Sequence, residues 1–317
     1  MKRLLGSVSL ILSGAAMCFA QTFSAKNSDN VNLYYTITSS TNHTCELVAS
    51  QSGTAYSGAI NIPSNASYNG VDYSVTEIGS AAFFVNSGVT SISLPASVTI
   101  LNEACFRGCS ALTEFLVDAA NEHYYSENGV LFNKDVTTLL VFPSAKNVTN
   151  YVIPSTVTVL DSYCFYSCKN LTEIQLSPNL EIISDAAFFE CTSLKSLALP
   201  VTVDSIGASA FYDCTSLKVL IDESNVPPHV SDYAFAGLDQ STCVLYVPEI
   251  AVATYKGDDD WDSFTNIEEI DSTVGVNSIN LDSPRMEIYD VKGIPVAGHE
   301  IPLKGIFIVK YGTKVYK

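Results

Sequence analysis

The sequence predicts a solenoid of stacked repeats, mostly β with short helical turns, followed by a small C-terminal all-β domain. Three observations predict it. An Ala-Phe or Cys-Phe pair recurs at Ala82-Phe83, Cys105-Phe106, Cys164-Phe165, Ala187-Phe188, Ala210-Phe211 and Ala234-Phe235. Phe83 to Phe106, Phe165 to Phe188 and Phe188 to Phe211 are each 23 residues apart, and Phe211 to Phe235 is 24. The flanks repeat as well, as in Leu194-Lys195-Ser196-Leu197-Ala198-Leu199-Pro200, where period-two alternation marks a half-buried strand and the proline stops it. A unit of this length cannot bury its Phe and its Leu/Ile column alone, so neighbours must stack into one continuous core.

The elements follow in order. Lys2 and Arg3 precede the apolar run Leu4 to Ala16, then Cys18-Phe19-Ala20, which reads as a secretory signal peptide over 1–20 cut after Ala20. The run is too short to span a bilayer, and no later segment is apolar for long enough either. A lipid-modified Cys18 is disfavoured by the bulky Met17 before it. Residues 21–74 form an opening cap with one early coil: Val31 to Thr38 and Ile60-Asn61-Ile62-Pro63 are strand-like, and a capped end blocks edge pairing. The array runs over 75–270. Phe106 to Phe165 is 59 residues, or 23 plus 36, so an insertion or degenerate coil lies over 118–150. Its centre, Gly129-Val130-Leu131-Phe132 and Leu139-Leu140-Val141-Phe142 around Asn133-Lys134-Asp135, reads as two strands that continue the sheet. Leu245-Tyr246-Val247-Pro248 and Tyr255 through Trp261 and Phe264 close the array as a cap, with Trp261 packing inward.

With these residues placed, the chain resembles the BspA-like leucine-rich repeat proteins of bacterial cell surfaces over roughly residues 22–270. Period, Ala-Phe pair, cysteine position and Leu-Pro stop coincide. That resemblance implies a leucine-rich repeat solenoid, display at the cell surface and adhesion to host extracellular proteins or other bacteria. Residues 271–317 read as short strands, including Met286 to Asp290 and Gly305 to Lys310. They resemble the C-terminal sorting domains of the type IX secretion system, on Ile288-Tyr289-Asp290-Val291-Lys292-Gly293, Leu303 to Val309 and the terminal lysine. The resemblance implies contact with export machinery through residues 275–317, and a secreted chain or one held at the outer-membrane surface of a Gram-negative bacterium.

Charge excludes some partners. Thirty-three acidic against 16 basic side chains give a net charge of −17 over 317 residues, opposite to the cationic surface that nucleic acid or an anionic membrane requires. The cysteines read as core. Cys109, Cys168, Cys191 and Cys214 each lie three residues after a repeat Phe, so they form a column about 5 Å apart rather than a disulfide framework or a convergent metal site. Asn86 holds that position in the first clear repeat; Cys105 and Cys164 replace alanine, and Cys45 and Cys243 lie in the caps. His43, His123, His229 and His299 are scattered, and no nucleophile elbow, zinc-protease helix or phosphate loop is present, so the chain reads as a non-enzyme with no cofactor. Asp258-Asp259-Asp260 with Asp262 lacks the spacing and turn glycine of a calcium loop and reads as a solvated connector. Glu114 and Glu173, the one candidate carboxylate pair for glycoside hydrolysis, sit on separate coils.

The functional expectation is a binding face. Outward strand positions are Ser91 and Ser93, Glu114 and Leu116, Glu173 and Gln175, Ser196 and Ala198, Val219 and Ile221, so the face grows apolar toward the C-terminal end. Such a face suits an extracellular host or bacterial surface protein. Two alternatives are the inserted hairpin around Tyr124 and Tyr125 as the partner site, and a carbohydrate-binding surface using Tyr124, Tyr125 and Trp261 as stacking platforms.

Overall fold

The computed structural model describes residues 21–270 and three short strands beyond them, Met286–Asp290, Phe307–Tyr311 and Lys314–Tyr316. The signal-peptide segment 1–20 lies outside the described residues, as does the rest of 271–317.

Each coil contributes one strand to each of two sheets. The first sheet runs Asn150–Val152, Glu173–Gln175, Ser196–Leu199, Val219–Asp222, Val244–Val247, Ile267–Glu269, all parallel and in register. Upstream of the insertion the same face is carried by Ser57–Asn61, Gly88–Leu94 and Glu114–Val117. The second sheet stacks the short strands Val159–Leu160, Ile182–Ile183, Ser205–Ile206 and His229–Val230. Inward positions of both sheets are mostly leucine, isoleucine and valine, and Leu139, Leu160, Ile183 and Ile206 are fully buried along one row.

The third edge of each coil is the turn that carries the repeat Phe. No helix forms there. Residues two before and two after the Phe have positive φ, as at Ala81 and Val85, Ala186 and Glu190, or Ser209 and Asp213. Left-handed backbone costs roughly 1–2 kcal/mol for a residue with a Cβ. A second hydrogen-bond ladder offsets that cost. Within a turn, alternate amides bond backwards, as Phe189 does to the Ala186 carbonyl; the intervening ones reach the next coil, Ala186 to Ala208, Phe188 to Ala210 and Glu190 to Tyr212, at 2.7–2.8 Å. Turns centred on Phe83, Phe165 and Phe211 repeat the scheme. Among the described residues the one α-helix is Val252–Lys256, in the closing cap.

The repeat phenylalanines form two stacks. Phe142, Phe165, Phe188, Phe211 and Phe235 follow one another at 5.1–5.5 Å between centroids, with the last three steps within 8° of parallel. Tyr56, Phe83 and Phe106 form the shorter, more tilted stack. Phe142 is therefore a repeat Phe, which explains the 59-residue gap: it stacks 23 residues ahead of Phe165, and its amide bonds the Cys164 carbonyl. The extra chain lies before it, as the expected hairpin Val130–Asn133 and Thr138–Val141, preceded by a third antiparallel strand, Tyr124–Glu127. This meander continues the second sheet by pairing Thr138–Val141 with Val159–Leu160. It also divides the buried residues into two clusters.

Both ends are covered. Thr22–Lys26, Asn32–Ser39 and Thr44–Val48 form an antiparallel meander over the first coil, with Phe23 stacked on Tyr35 and Tyr68. At the other end Tyr255, Trp261 and Phe264 close over Phe235, and the Trp261 indole N–H donates to the Pro228 carbonyl at 3.0 Å.

Candidate functional site

Register along the first sheet turns the outward residues into two rows. One runs Ala59, Ser91, Glu114 and, beyond the insertion, Asn150, Glu173, Ser196, Val219, Val244. The other runs Asn61, Ser93, Leu116 and then Val152, Gln175, Ala198, Ile221, Tyr246, Glu268. Glu173, Gln175, Ser196, Ala198, Val219 and Ile221 thus lie on one sheet, whereas Glu114 and Leu116 lie on a separate sheet before the insertion. Leu116 is 51% exposed, and the side chains from Ser196 to Tyr246 are half-buried beside one another. Sequence reasoning missed Val152, 64% exposed next to Gln175 at the start of the row, and Val244 with Tyr246, which extend its apolar C-terminal end. The same period-two alternation in Tyr151-Val152 and Val244-Leu245-Tyr246 carried that signal.

The cysteine column is structural. The Cys109, Cys191 and Cys214 thiols donate to the carbonyls of Phe83, Phe165 and Phe188 in the preceding coil, at 3.1–3.2 Å, and the Cys168 thiol to that of Phe142 at 3.8 Å. All eight cysteines among the described residues are free and buried. Burial pushes the Cys109 and Cys214 thiols up to about 12 and the Cys191 thiol well above its usual range, so they stay protonated as donors. Asn86 replaces the thiol in the first repeat with a two-sided amide: its Oδ1 accepts from the Tyr56 amide and its Nδ2 donates to the Phe84 carbonyl at 3.1 Å.

Two expectations change. Trp261 is fully buried against Tyr255 and Phe235, so it cannot serve as a sugar-stacking platform. Tyr124 is half-buried, and its hydroxyl already accepts from the Leu101 amide at 3.0 Å and donates to the Thr99 carbonyl at 3.2 Å. Only Tyr125, 40% exposed, keeps an open ring of the three, because the inserted strand alternates it outward. Glu114 and Glu173 lie in different sheets and do not form a carboxylate pair. The acidic run is engaged in the closing cap: Asp260 pairs with His229 Nδ1 at 3.1 Å and accepts the Val230 amide, while Asp258 accepts the Asp260 amide. Among the described residues no three His, Cys, Asp or Glu side chains are grouped to hold a metal ion, and no helix is long and apolar enough to cross a membrane.

One acidic residue stands out inside the core. Asp222, at the inner end of the strand Val219–Asp222, is 1% exposed; Oδ1 accepts the Ser224 amide and Oδ2 has no hydrogen-bond partner. Burial raises its pKa from 3.8 to about 6, against the opposing effects of the Ser224 amide and the neighbouring Tyr255 hydroxyl. That hydroxyl donates to the Ser224 carbonyl at 3.4 Å, so its help to the carboxylate is at longer range.

Comparison with known proteins agrees with this geometry. Residues 55–144 and 139–252 match the BspA type leucine-rich repeat region in six copies. A leucine-rich repeat protein of Eubacterium ventriosum is 31% identical over 61% of this chain and 49% of its own, with a TM-score of 0.50. The chain thus spans about half the length of that relative. The pneumococcal vaccine antigen PcpA (17% identity, 78% of this chain and 98% of its own, TM-score 0.42) is also similar. So is a leucine-rich cell surface protein of Faecalibacterium prausnitzii (16% identity, 78% and 72%, TM-score 0.41). No curated protein matches the chain. The period, the phenylalanine stack and the repeat match, which covers more than half of the sequence, establish that this chain belongs to the BspA-type leucine-rich repeat family.

Proposed function

We propose that the chain is a secreted or cell-surface binding module that captures another protein on the outward face of its first sheet. The observation that carries this reading is the pair of residue rows, which run in register across five coils and pass from Glu173 and Gln175 to Val219, Ile221, Val244 and Tyr246. A rigid parallel sheet holds these side chains without further ordering on association, which lowers the entropic cost of binding. The apolar stretch supplies desolvation, and Glu173 on one side and Glu268 on the other disfavour acidic partners. The partner is an exposed protein with a basic rim beside an apolar patch, on a host matrix or another bacterium, in keeping with adhesion.

Delivery belongs to the same proposal. A signal peptide over 1–20 takes the chain out of the cytoplasm, and residues 275–317, whose strands Met286–Asp290, Phe307–Tyr311 and Lys314–Tyr316 pair antiparallel, engage export machinery of a Gram-negative outer membrane. The test is a binding screen of the exported chain against immobilised matrix proteins and glycans, alongside a Val219→Asp/Ile221→Asp variant. Saturable capture of a protein that the variant loses supports the reading. Capture of glycans alone, or capture of a protein equally by both chains, overturns it.

A further inference from the structure

The insertion opens the solenoid on its turn edge. A cleft of about 270 Å³ lies between the turn Asn102–Cys109, the inner strand of the inserted meander and the turn Asp161–Tyr166. Its floor is apolar: Cys105, Phe106, Leu112, Leu140, Val141 and Phe142. Two features of its wall concern hydrogen-bond donors.

In the turns centred on Phe83, Phe165, Phe188 and Phe211, three alternate amides donate forward to the next coil. Ala104, Phe106 and Gly108 are the equivalent residues here, with the same positive φ at Ala104 and Gly108, yet their amides make no backbone bond to a following coil. The inserted meander displaces the carbonyls that would receive them. Arg107 is the second feature. Its guanidinium crosses the opening, 4.4 Å from the Tyr163 ring centroid, 5.2 Å from Tyr166 and 5.7 Å from Phe84, and its Nε is buried without a hydrogen-bond partner.

Three amides without a backbone partner and a guanidinium Nε without one gather donors on this wall, with the Glu103 and Asp161 carboxyls confined to the rim, and a row of backbone amides flanked by left-handed residues is an anion-binding concavity. We propose that this cleft binds a small organic monocarboxylate, its oxygens taken by Arg107 and the amides of Ala104, Phe106 and Gly108, its apolar body seated on Leu112, Leu140 and Phe142. Planar guanidinium and carboxylate match in a two-point contact. A dianion such as phosphate is disfavoured by the carboxyls of Glu103 and Asp161 on the rim. The volume, just below the ~300–1,000 Å³ of most ligand pockets, admits a molecule of amino-acid to dipeptide size. The site lies on the turn edge, so it stands or falls independently of protein capture on the strand face.

The test titrates the chain with 3-phenylpropionate, following backbone amide shifts by NMR, with 3-phenylpropanamide and acetate as probes of charge and of apolar body. Saturable shifts at Ala104, Phe106 and Gly108 are expected, with affinity at least about tenfold weaker for either control and for Arg107→Met. Arg107→Lys, which keeps the charge and loses the fork, falls between. The two wild-type controls need no variant, so a poorly folded Arg107→Met leaves the test intact. Absence of saturable shifts up to about 10 mM carboxylate, equal binding of the amide, or shifts confined to other residues overturns the proposal.

Discussion

The two stretches of solenoid on either side of the insertion use the same repeat to different effect. Beyond it, Phe165 to Phe235 stack face to face within 8° of parallel, every interior turn donates three amides forward, and a thiol occupies each junction from Cys168 to Cys214. Before it, Tyr56, Phe83 and Phe106 are tilted by 49° and 25°, Asn86 replaces the first thiol, and Phe106 ends edge-on against Phe115. A repeat array is held together by neighbour interfaces. The regular stretch therefore depends on repeated packing, while the early stretch and the junction depend on individual polar contacts.

The largest expected effect tests that packing difference. Phe188→Ala, with rings stacked on both sides, should lower stability by about 3–5 kcal/mol in denaturant unfolding, and Phe106→Ala, which faces the cleft on one side, by roughly half as much. Equal losses would break the comparison. Asn121 is the polar counterpart in the insertion: fully buried, it donates from Nδ2 to the Pro95 and Val98 carbonyls at 2.9 and 3.0 Å and accepts the His123 and Tyr124 amides on Oδ1, both at 2.8 Å. Asn121→Ala should cost about 3–4 kcal/mol, near 1 kcal/mol per bond, and free the inserted meander to proteolysis.

At the closing end the exception to apolar packing is the buried Asp222. Its folded-state pKa lies above the unfolded value, so its protonated form is favoured by folding and stability falls as pH rises from 3.8 toward 6. Asp222→Asn should thus raise stability at pH 7 by up to about 3 kcal/mol and change it little at pH 3, where both chains are neutral at this position. A gain at pH 3 as large as at pH 7 would remove the titration from the account. The smallest effect is at the thiol column. Cys191→Ala should cost about 1 kcal/mol, a weak donor and a small volume, and the native chain should resist thiol-directed reagents until it unfolds.

Much of the fold was legible because a repeat states its own geometry several times over. The 23-residue period, the inward leucines and the cysteine position agree in consecutive coils, so the strands, the thiol column and the inward Trp261 follow from sequence. Phe142 was legible as a strand residue yet not as a repeat Phe, since no Ala or Cys precedes it; Val141 does. The forward-donating turn ladder left no trace in residue type, because Ala, Ser, Glu, Asp and Tyr all occupy its left-handed positions and backbone pairing, not glycine, holds them there. For the same reason the broken ladder at Arg107 was invisible: it arises from where the meander folds back, a long-range event.

The central claim is that the strand face, not the turn edge, captures a protein. Its most direct test is a titration of a captured partner against Ala198→Arg, in the middle of the second row, and Tyr233→Arg, at a 77% exposed tyrosine on the turn edge. Ala198→Arg should abolish saturable capture while Tyr233→Arg leaves it unchanged. Loss with Tyr233→Arg and retention with Ala198→Arg would contradict the claim.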